Sequence, residues 1–536
     1  MTKIISVLAI SFFIQIGLMA QPAPIGIELE SISIPNIGGV QAYSFGQHNG
    51  KWLIVGGRLD GLHRRQPFAA FNVSGNNNQL IVIDPVAKQK WTASLSSLPT
   101  AIQEQLSSTN MNFFQDGDYL YCVGGYGYSA TLNDHTTFAN ITAIKVSDVI
   151  DAVVNGTGFT NYFRQLTDTK LQVTGGKLKK INDTYYLLGG QKFLGRYNPM
   201  GPTHGPGFIQ EYTDEIRKFT ITDDGTTLSI NHLPAHTDAA NLHRRDYNAE
   251  AQIMPNGTEG ITMFSGVFQP NVDLPFLNCV NVDSTNFTVN NTFQQYYNHY
   301  HCAAIPLYSA TNNEMHTLFF GGIAQYYDSS GVLVQDNDVP FVKTIARVTR
   351  DANGKMSEYK LPIEMPSLLG AGSEFIVNES LPVFPNNVLK LDEISDERTL
   401  LGYIYGGISS TAANIFFTNN GNQSSASSEI FAVYLTNYLE SVDQLNTQSA
   451  GSLDVRVFPN PSKKHFTIEF KLNTTDNVKI SITDISGRVV EEELLKNQPA
   501  GHNSFFKKIR SFDKSGVYFI TVESSTEKAV QKIIVE

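Results

Sequence analysis

Arginine, histidine and aromatic side chains are concentrated in a few short segments of the chain. Arg58, His63 and Arg65 follow one pair of glycines, and Arg196 lies in a long polar segment after another pair. Guanidinium groups form paired hydrogen bonds with carboxylates, sulfates and phosphates, and aromatic rings line most small-ligand sites. These residues predict a binding site for an anionic glycan, a peptide carboxylate or a similar ligand.

Two later segments add residues to this candidate site. The first holds His243, Arg245 and Tyr247, and the second holds His299 and His301. Because alternate residues of a strand point to the same side, the two imidazoles of the second segment could meet one metal ion. A hydrogen-bonded interior position is the commoner role of histidine in a strand. We therefore expect no metal and no other cofactor.

The arginines also have a structural alternative, in which they pair with Asp and Glu inside the protein. For Arg245 the two interpretations stay open, and for Arg244 we favour the structural one. The sequence has no Gly-x-Ser-x-Gly elbow, zinc-protease helix or phosphate-binding loop. These observations favour a binding protein over an enzyme.

The composition of the 536-residue chain limits its possible partners. Its formal net charge is −11 and charged residues make up 17% of it, whereas hydrophobic residues make up 41%. A nucleic-acid-binding protein needs a basic surface to replace the counterions of phosphate. The sequence therefore predicts a protein with a sizeable core that does not bind nucleic acid.

Residues 1–20 resemble a secretory signal peptide. Lys3 is followed by a mostly apolar run from Ile4 to Phe13, and Ala20 is a small residue suited to cleavage. A membrane-spanning helix needs about twenty apolar residues, roughly twice the length of this run. We expect cleavage near Ala20 and no transmembrane segment in the mature protein.

A short apolar run that ends in a glycine pair occurs six times. The second glycines are spaced by 68, 65, 76, 56 and 85 residues, and the fourth copy has Ser265-Gly266 in place of two glycines. Turn residues such as Asn49-Gly50 stand before most runs, which is typical of hairpins. The runs are Trp52–Gly57, Leu120–Gly125, Tyr185–Gly190, Ile261–Gly266, Thr317–Gly322 and Leu401–Gly407. This repeat predicts an all-β fold, a six-bladed β-propeller.

Residues 21–435 resemble the Kelch family of propellers. The first repeat carries Gly56-Gly57, then Leu80–Pro85, then Trp91, in the order of the full Kelch pattern. The later repeats keep the glycines and lose the tryptophan. The strand-like segment from Ile25 to Pro35 has no glycine pair, so we expect it to complete the sixth blade and hide two sheet edges.

Strand alternation places the candidate binding residues on one face of this fold. In each blade the second strand ends at the glycine pair, on the side where the next blade's first strand begins. We therefore expect the segments after the glycine pairs to meet the segments that lead into the next blades. The resemblance also brings alternatives, because six-bladed relatives include sialic acid mutarotases and seven-bladed ones include galactose oxidase.

The character of the sequence changes after a polar linker at 436–453. Residues 454–536 alternate charged and apolar residues, which predicts a small immunoglobulin-like β-sandwich. They resemble the type A sorting domain of the type IX secretion system of Bacteroidetes, in the opening Phe458-Pro-Asn-Pro461, in Ile482–Val490, in Ser515–Val522 and in the terminal Lys532–Glu536. The resemblance implies export by that machinery, followed by release or attachment to the cell surface.

Three interpretations of function remain. The favoured one is a secreted or surface-attached binding module for an extracellular glycan, peptide or protein. The second is a sugar-active enzyme that uses the same face, of the mutarotase, epimerase, lyase or oxidase type. The third is a scaffold or adhesin. Whether Cys279 and Cys302 form a disulfide stays open at this stage, as does the oligomeric state.

Overall fold

In the computed structural model the protein is all-β, with many small sheets. The structure describes residues 25–201, 205, 207–329, 332–394, 398–436, 453, 455–458, 460, 462–463, 465–484, 488–508 and 516–535. The chain divides into two compact units, Met1–Thr436 and Asn437–Glu536. Within the described residues, no helix has the length and apolarity required to cross a membrane. The predicted signal peptide and almost all of the predicted linker lie outside the described residues.

In the described part of the first unit, six sheets are each built from four antiparallel strands that follow the repeats. Sheet 1 comprises Ser44–His48, Lys51–Val55, Gln79–Asp84 and Gln89–Ser94. Sheet 2 comprises Asn112–Asp116, Tyr119–Val123, Asn140–Lys145 and Phe163–Thr167. Sheet 3 comprises Lys177–Ile181, Thr184–Leu188, Glu215–Asp223 and Leu228–Thr237. Sheet 4 comprises Asn248–Ile253, Glu259–Phe264, Cys279–Val282 and Phe287–Asn290. Sheet 5 comprises Ala304–Ser309, Glu314–Phe320, Thr344–Arg350 and Met356–Glu364. Sheet 6 comprises Leu368–Val377, Arg398–Ser410, Ile430–Thr436 and Gly26–Ile32.

The N-terminal strand is the outer strand of sheet 6. Gly26–Ile32 pairs antiparallel with Ile430–Thr436 over seven residues, from Gly26 opposite Thr436 to Ile32 opposite Ile430. This pairing agrees with the expectation that the N-terminal strand completes the last repeat. It covers the edge of a strand that would otherwise be open to other chains.

The glycine pairs connect each sheet to the next. The amide of Gly125 donates to the carbonyl of Val173, just ahead of sheet 3, at 3.0 Å. Gly124 has a φ of 67°, and a Cβ there would lie 1.8 Å from the same carbonyl oxygen, so only glycine fits. The second glycines of the first, third, fifth and sixth pairs make the equivalent bond, and Gly407 donates to Val40, ahead of sheet 1.

Apolar side chains fill the space between consecutive sheets. Six buried clusters each combine side chains of two successive sheets within the described residues. The last of them packs Tyr405 and Ile430 of sheet 6 against Trp52 and Ile83 of sheet 1. The first strands of successive sheets also contact each other. Burial of these sheet faces supplies most of the stabilisation of the unit.

Insertions after the glycine pairs form further structure. Two of them combine into a four-stranded sheet of Tyr126–Ser129, Asp134–Thr137, Gln191–Leu194 and Ile209–Tyr212, and a third forms a hairpin of Tyr326–Ser329 and Val332–Gln335. Leu389–Lys390 and Ser424–Ala426 add short strands to sheets 5 and 6. The long polar segment that contains Arg196 holds two of these strands, Gln191–Leu194 and Ile209–Tyr212.

Two α-helices occur in the described residues, Thr100–Leu106 and Val146–Asn155. The second has apolar residues at helical spacing, which pack on sheets 1 and 2, and it is followed by a capping Gly156 with a φ of 66°. Short 3-10 helices occur at Pro67–Ala69, Val73–Gly75, Leu95–Ser97, Thr160–Tyr162, Thr169–Leu171 and Leu391–Glu393.

The second unit has two sheets around a common core. One consists of Arg456–Phe458, His465–Leu472 and Gly501–Lys508, and the other of Asp476–Asp484, Val489–Gln498, Gly516–Glu523 and Lys528–Val535. Their inward residues, among them Phe466, Ile480 and Ile520, are buried together. Alternation of polar and apolar residues thus produces half-buried strands, as expected. Parts of the quoted motifs, including Pro459 and Pro461, lie outside the described residues.

Candidate ligand-binding site

A cavity of about 650 Å³ opens where the insertions after the glycine pairs meet the segments that lead into the next sheets. This is the juxtaposition that strand alternation predicts. Six of the nine predicted site residues line it: Arg58, His63, Arg65, His243, Arg245 and His301. Arg196, Tyr247 and His299 are not among its lining residues. A binding role for any of them stays a prediction.

Aromatic rings form much of the cavity wall. Ten lining residues are phenylalanine or tyrosine: Phe71, Tyr126, Phe193, Tyr197, Phe208, Tyr212, Phe268, Tyr300, Phe416 and Phe417. Many of these rings pack edge to face against one another, as Phe71 and Tyr197 do with their centroids 5.8 Å apart. Mutual packing fixes the orientation of the rings, so their faces are prepared for a ligand.

Arg58 is committed to the protein. Its guanidinium forms two bonds with the carboxylate of Asp60, at 2.7 and 2.5 Å, and further bonds with Asn76 and the carbonyl of Asn72. The residue is only 4% exposed. Arg58 therefore fits the structural alternative, in which the arginines pair with Asp and Glu inside the protein, because its charge is neutralised inside the wall of the cavity.

Arg65 is less committed. Within the described residues its side chain makes one hydrogen bond, from Nη1 to the carbonyl of Pro199 at 2.8 Å, and it lies over the Phe417 ring at 5.4 Å. No carboxylate of the described residues pairs with it. Arg196 donates to the carbonyl of Ala70 at 2.8 Å and so helps to hold the insertions together.

Arg245 has one carboxylate partner and remains partly open. Nη1 pairs with Asp246, Nε donates to the hydroxyl of Tyr212 at 3.0 Å, and the guanidinium lies 5.1 Å from the centroid of Phe268. Nη2 makes no hydrogen bond with the described residues. Both of the alternatives considered for Arg245 thus retain support. The neighbouring His243 stacks on Tyr212 with centroids 3.7 Å apart and contacts Asp214 at 2.7 Å.

Arg244 is structural, as expected. It is fully buried, and it donates to the carbonyls of Asn241, Ser265 and Asn278 at 2.6 to 3.0 Å. Tyr247 is also fully buried, and its hydroxyl donates to the carbonyl of Leu188 at 2.8 Å.

Both ring nitrogens of His299 are bonded to the protein. His299 is fully buried; Nε2 donates to the carbonyl of Gln295 at 2.9 Å, and Nδ1 accepts from the amide of Gln325 at 3.0 Å. Since both ring nitrogens are used, His299 has none left for a metal ion. Among the described residues no group of three or more metal-ligating side chains is found.

His63 is a neutral member of the wall. Burial, with the charges of Arg245 and Arg58, lowers its pKa to about 4. Its ring lies 4.9 Å from the centroid of Tyr197 and 5.9 Å from that of Phe71. At neutral pH His63 therefore contributes an uncharged ring to the cavity.

His301 lines the 650 Å³ cavity. It also lines a second cavity of about 480 Å³, which follows the first strands of the sheets. Its Nε2 lies 2.8 Å from Oε1 of Glu374, and the two side chains are 14% and 12% exposed. Burial favours a raised pKa for Glu374, but its interactions with His301, Lys177 and Lys179 outweigh burial and hold the pKa below its usual value.

Glu374, Tyr212, Phe268 and Lys177 were not singled out from the sequence. Glu374 follows Ser373 in the strand Leu368–Val377, where a charged residue inside an apolar run could have drawn attention. The three cysteines, Cys122, Cys279 and Cys302, are buried and free. No disulfide joins the last two.

Comparisons with known proteins bear mainly on the tail. The family model described as the secretion system C-terminal sorting domain matches residues 456–536. No curated protein matches the chain. A solved structure titled "Structure of YjhT" is 11% identical to this chain; the aligned region spans 75% of this chain and 98% of that chain, with a TM-score of 0.40.

The sorting domain fixes the destination of the protein and its export partner. Such a tail implies interaction with the type IX secretion machinery. Residues 456–536 thus carry a secretion system C-terminal sorting domain, and the protein is secreted or attached to the cell surface.

Proposed function

We propose that the protein is an exported six-bladed propeller of the Kelch type that binds an extracellular glycan in the 650 Å³ cavity. The observation that carries this proposal is the aromatic wall around Arg65, a cation that no described carboxylate neutralises. Sugar rings stack on aromatic faces, and a guanidinium fork suits an anionic substituent.

The ring of six blades is supported by contacts that repeat from sheet to sheet. Five glycine amides bond to the start of the next sheet or to the segment just ahead of it, and one of these bonds runs from sheet 6 to sheet 1. The six apolar clusters follow the same order and also join the last sheet to the first. The amide of Ala42 adds a bond to Gly372 of sheet 6 at 2.8 Å. Such a ring leaves a central opening where ligands of propellers can bind.

The charge of the cavity favours one or two anionic groups on the part of the ligand that enters it. Its lining has three arginines, Arg58, Arg65 and Arg245, and three aspartates, Asp246, Asp273 and Asp338. Two of the arginines already pair with a carboxylate. Arg65, which has no described carboxylate partner, and the open Nη2 of Arg245 are left as sites for anionic groups. The volume is typical of a small-molecule site, so we expect one or two sugar units to enter while the remaining chain stays outside.

Binding of purified protein, residues 21–536, to a glycan array and then by calorimetry tests the proposal. We expect Arg65→Gln to weaken binding at least tenfold, since a hydrogen bond to a charged group contributes about 1.5–3 kcal/mol. Arg64→Gln is the matched control, because Arg64 is exposed and does not line the cavity. Retention of full affinity by Arg65→Gln, or binding of peptides and no glycan, would overturn the proposal.

A further inference from the structure

Three residues of the cavity each have a polar atom that no described residue uses. They are Arg245 through Nη2, Tyr300 through its hydroxyl and His301 through Nδ1, and all three line the 650 Å³ cavity. From this arrangement we propose that the cavity is also a catalytic site, which cleaves uronate-containing polysaccharides by β-elimination. The inference rests on the proposed glycan binding and adds a substrate class and a reaction.

His301 has the surroundings of a general base. Oε1 of Glu374 lies 2.8 Å from Nε2, too far out of line for a hydrogen bond of good geometry, and its negative charge favours the tautomer that carries the proton on Nε2 and the lone pair on Nδ1. Nδ1 makes no hydrogen bond within the described residues and is not among their enclosed unpaired atoms, and His301 lines the cavity, so this nitrogen is available to a substrate there. Glu374 is a positioning residue in this arrangement, because it acts on the substrate only through the imidazole.

Arg245 supplies the positive charge that such a reaction needs. Asp246 and Tyr212 hold its Nη1 and Nε in place, and Nη2 remains available. A uronate carboxylate on this side of the guanidinium would have its charge neutralised. Neutralisation makes the hydrogen on the carbon next to the carboxylate more acidic, because the carbanion that forms can spread its charge into that group.

Tyr300 can act as the acid. Its hydroxyl makes no hydrogen bond within the described residues, and Tyr300 is adjacent in sequence to His301. Burial raises the pKa of Tyr300 above its ordinary value, although the charge of Arg245 acts in the other direction. The phenol therefore stays protonated and can donate its proton to a leaving oxygen.

The reaction is balanced without an oxidant or another reactant. Nδ1 of His301 takes the proton from the carbon bonded to the carboxylate, and the electron pair of that C–H bond forms a double bond to the neighbouring carbon. The bond from that neighbour to the glycosidic oxygen breaks, and the leaving oxygen takes the proton of Tyr300. The products are a reducing end and an unsaturated uronate, and the proton on His301 returns to Tyr300 through solvent.

Uronates are the sugars that fit these three groups. They carry a carboxylate for Arg245, an acidic hydrogen next to it for His301, and a glycosidic oxygen one carbon further for Tyr300. A neutral sugar lacks the first two of these features. The aromatic wall and Arg65 would then hold the units of the chain that follow.

The test measures binding and cleavage side by side on polygalacturonate, alginate and hyaluronan. Product is followed by the ultraviolet absorbance of the conjugated double bond. We expect the wild type to cleave at least one of these polymers. The His301→Asn variant should cleave it 10²–10⁴-fold more slowly, and its affinity for the polymer should stay within about twofold of that of the wild type. Glu374→Gln should lower the cleavage rate and shift the pH profile of that rate. A purely structural role of Glu374 would leave the pH profile unchanged. Arg64→Gln should leave both rate and affinity unchanged.

The outcomes separate the two proposals. Tight binding of a uronate polymer with no unsaturated product would overturn the catalytic site and leave glycan binding in place. Product formed equally well by His301→Asn, with an unchanged melting temperature, would show that His301 is not the base. No binding to any glycan, by wild type or His301→Asn, would overturn both.

Discussion

Acid should destabilise the first unit through His299, and the structure gives the size of the effect. His299 is fully buried, donates through Nε2 and accepts through Nδ1. Protonation of Nδ1 would break its bond with the amide of Gln325. Burial lowers the pKa of His299 to about 4, despite an opposing effect of the Gln295 carbonyl.

The sign of the pH dependence follows from this lowered pKa. The unfolded chain binds the proton at about pH 6.5 and the folded protein only at about pH 4, so the stabilising contribution is complete above pH 6.5 and declines as the pH falls towards 4. Between pH 7 and pH 4.5 the loss amounts to about 2 kcal/mol.

Denaturation curves of the wild type and His299→Asn over that pH range provide the assay. Asparagine retains an acceptor for the Gln325 amide and does not titrate. Both tryptophans, Trp52 and Trp91, belong to the first unit, so their fluorescence reports its unfolding. We expect the stability gap between the two proteins to narrow by about 2 kcal/mol on acidification. Parallel profiles would refute the reasoning.

Further predictions concern the glycine turns, the buried arginine and the thiols. Gly124→Ala should lower the free energy of unfolding by about 3 kcal/mol or more, because the added Cβ would lie 1.8 Å from the Val173 oxygen. Gly117→Ala, whose added Cβ meets no atom, should lower it by about 1 kcal/mol. Equal shifts in melting temperature would contradict this. Arg244→Met should cost about 4 kcal/mol by leaving three buried carbonyls without a donor, measured by denaturant unfolding, and a loss below 1 kcal/mol would argue against it. Burial raises the pKa of each cysteine thiol to about 12, so a thiol reagent should label none in the native protein and all three in denaturant. Labelling of the native protein would contradict that burial.

The repeat of apolar runs and glycine pairs made the sheets predictable, because it combines three local requirements. Residues 120–123 need a strand buried on both faces, Gly124 needs a positive φ, and Gly124 also needs space beside Val173. The added sheet that contains Ile209–Tyr212 could not be predicted in the same way. Its strands pair across two separate insertions, and no local signal indicates a partner so far away in sequence.

The candidate site could be predicted only in outline. Alternation of strands identified the face, and residue type identified Arg65 and Arg245 as cations on it. Which arginine keeps an open charge depends on the neighbours that folding brings to it, such as Asp60 beside Arg58. The contact between His301 and Glu374 joins residues 73 positions apart, so no spacing rule could have shown it.

The pairing of residues 26–32 with residues 430–436 has a consequence for the order of events in the cell. About 400 residues separate the two strands, so a ribosome must synthesise nearly all of the first unit before its first strand finds a neighbour. A nascent or truncated chain that stops short of Ile430 would expose that strand to other chains. The sorting domain is synthesised after Thr436, so a chain that carries it already holds both of the paired strands.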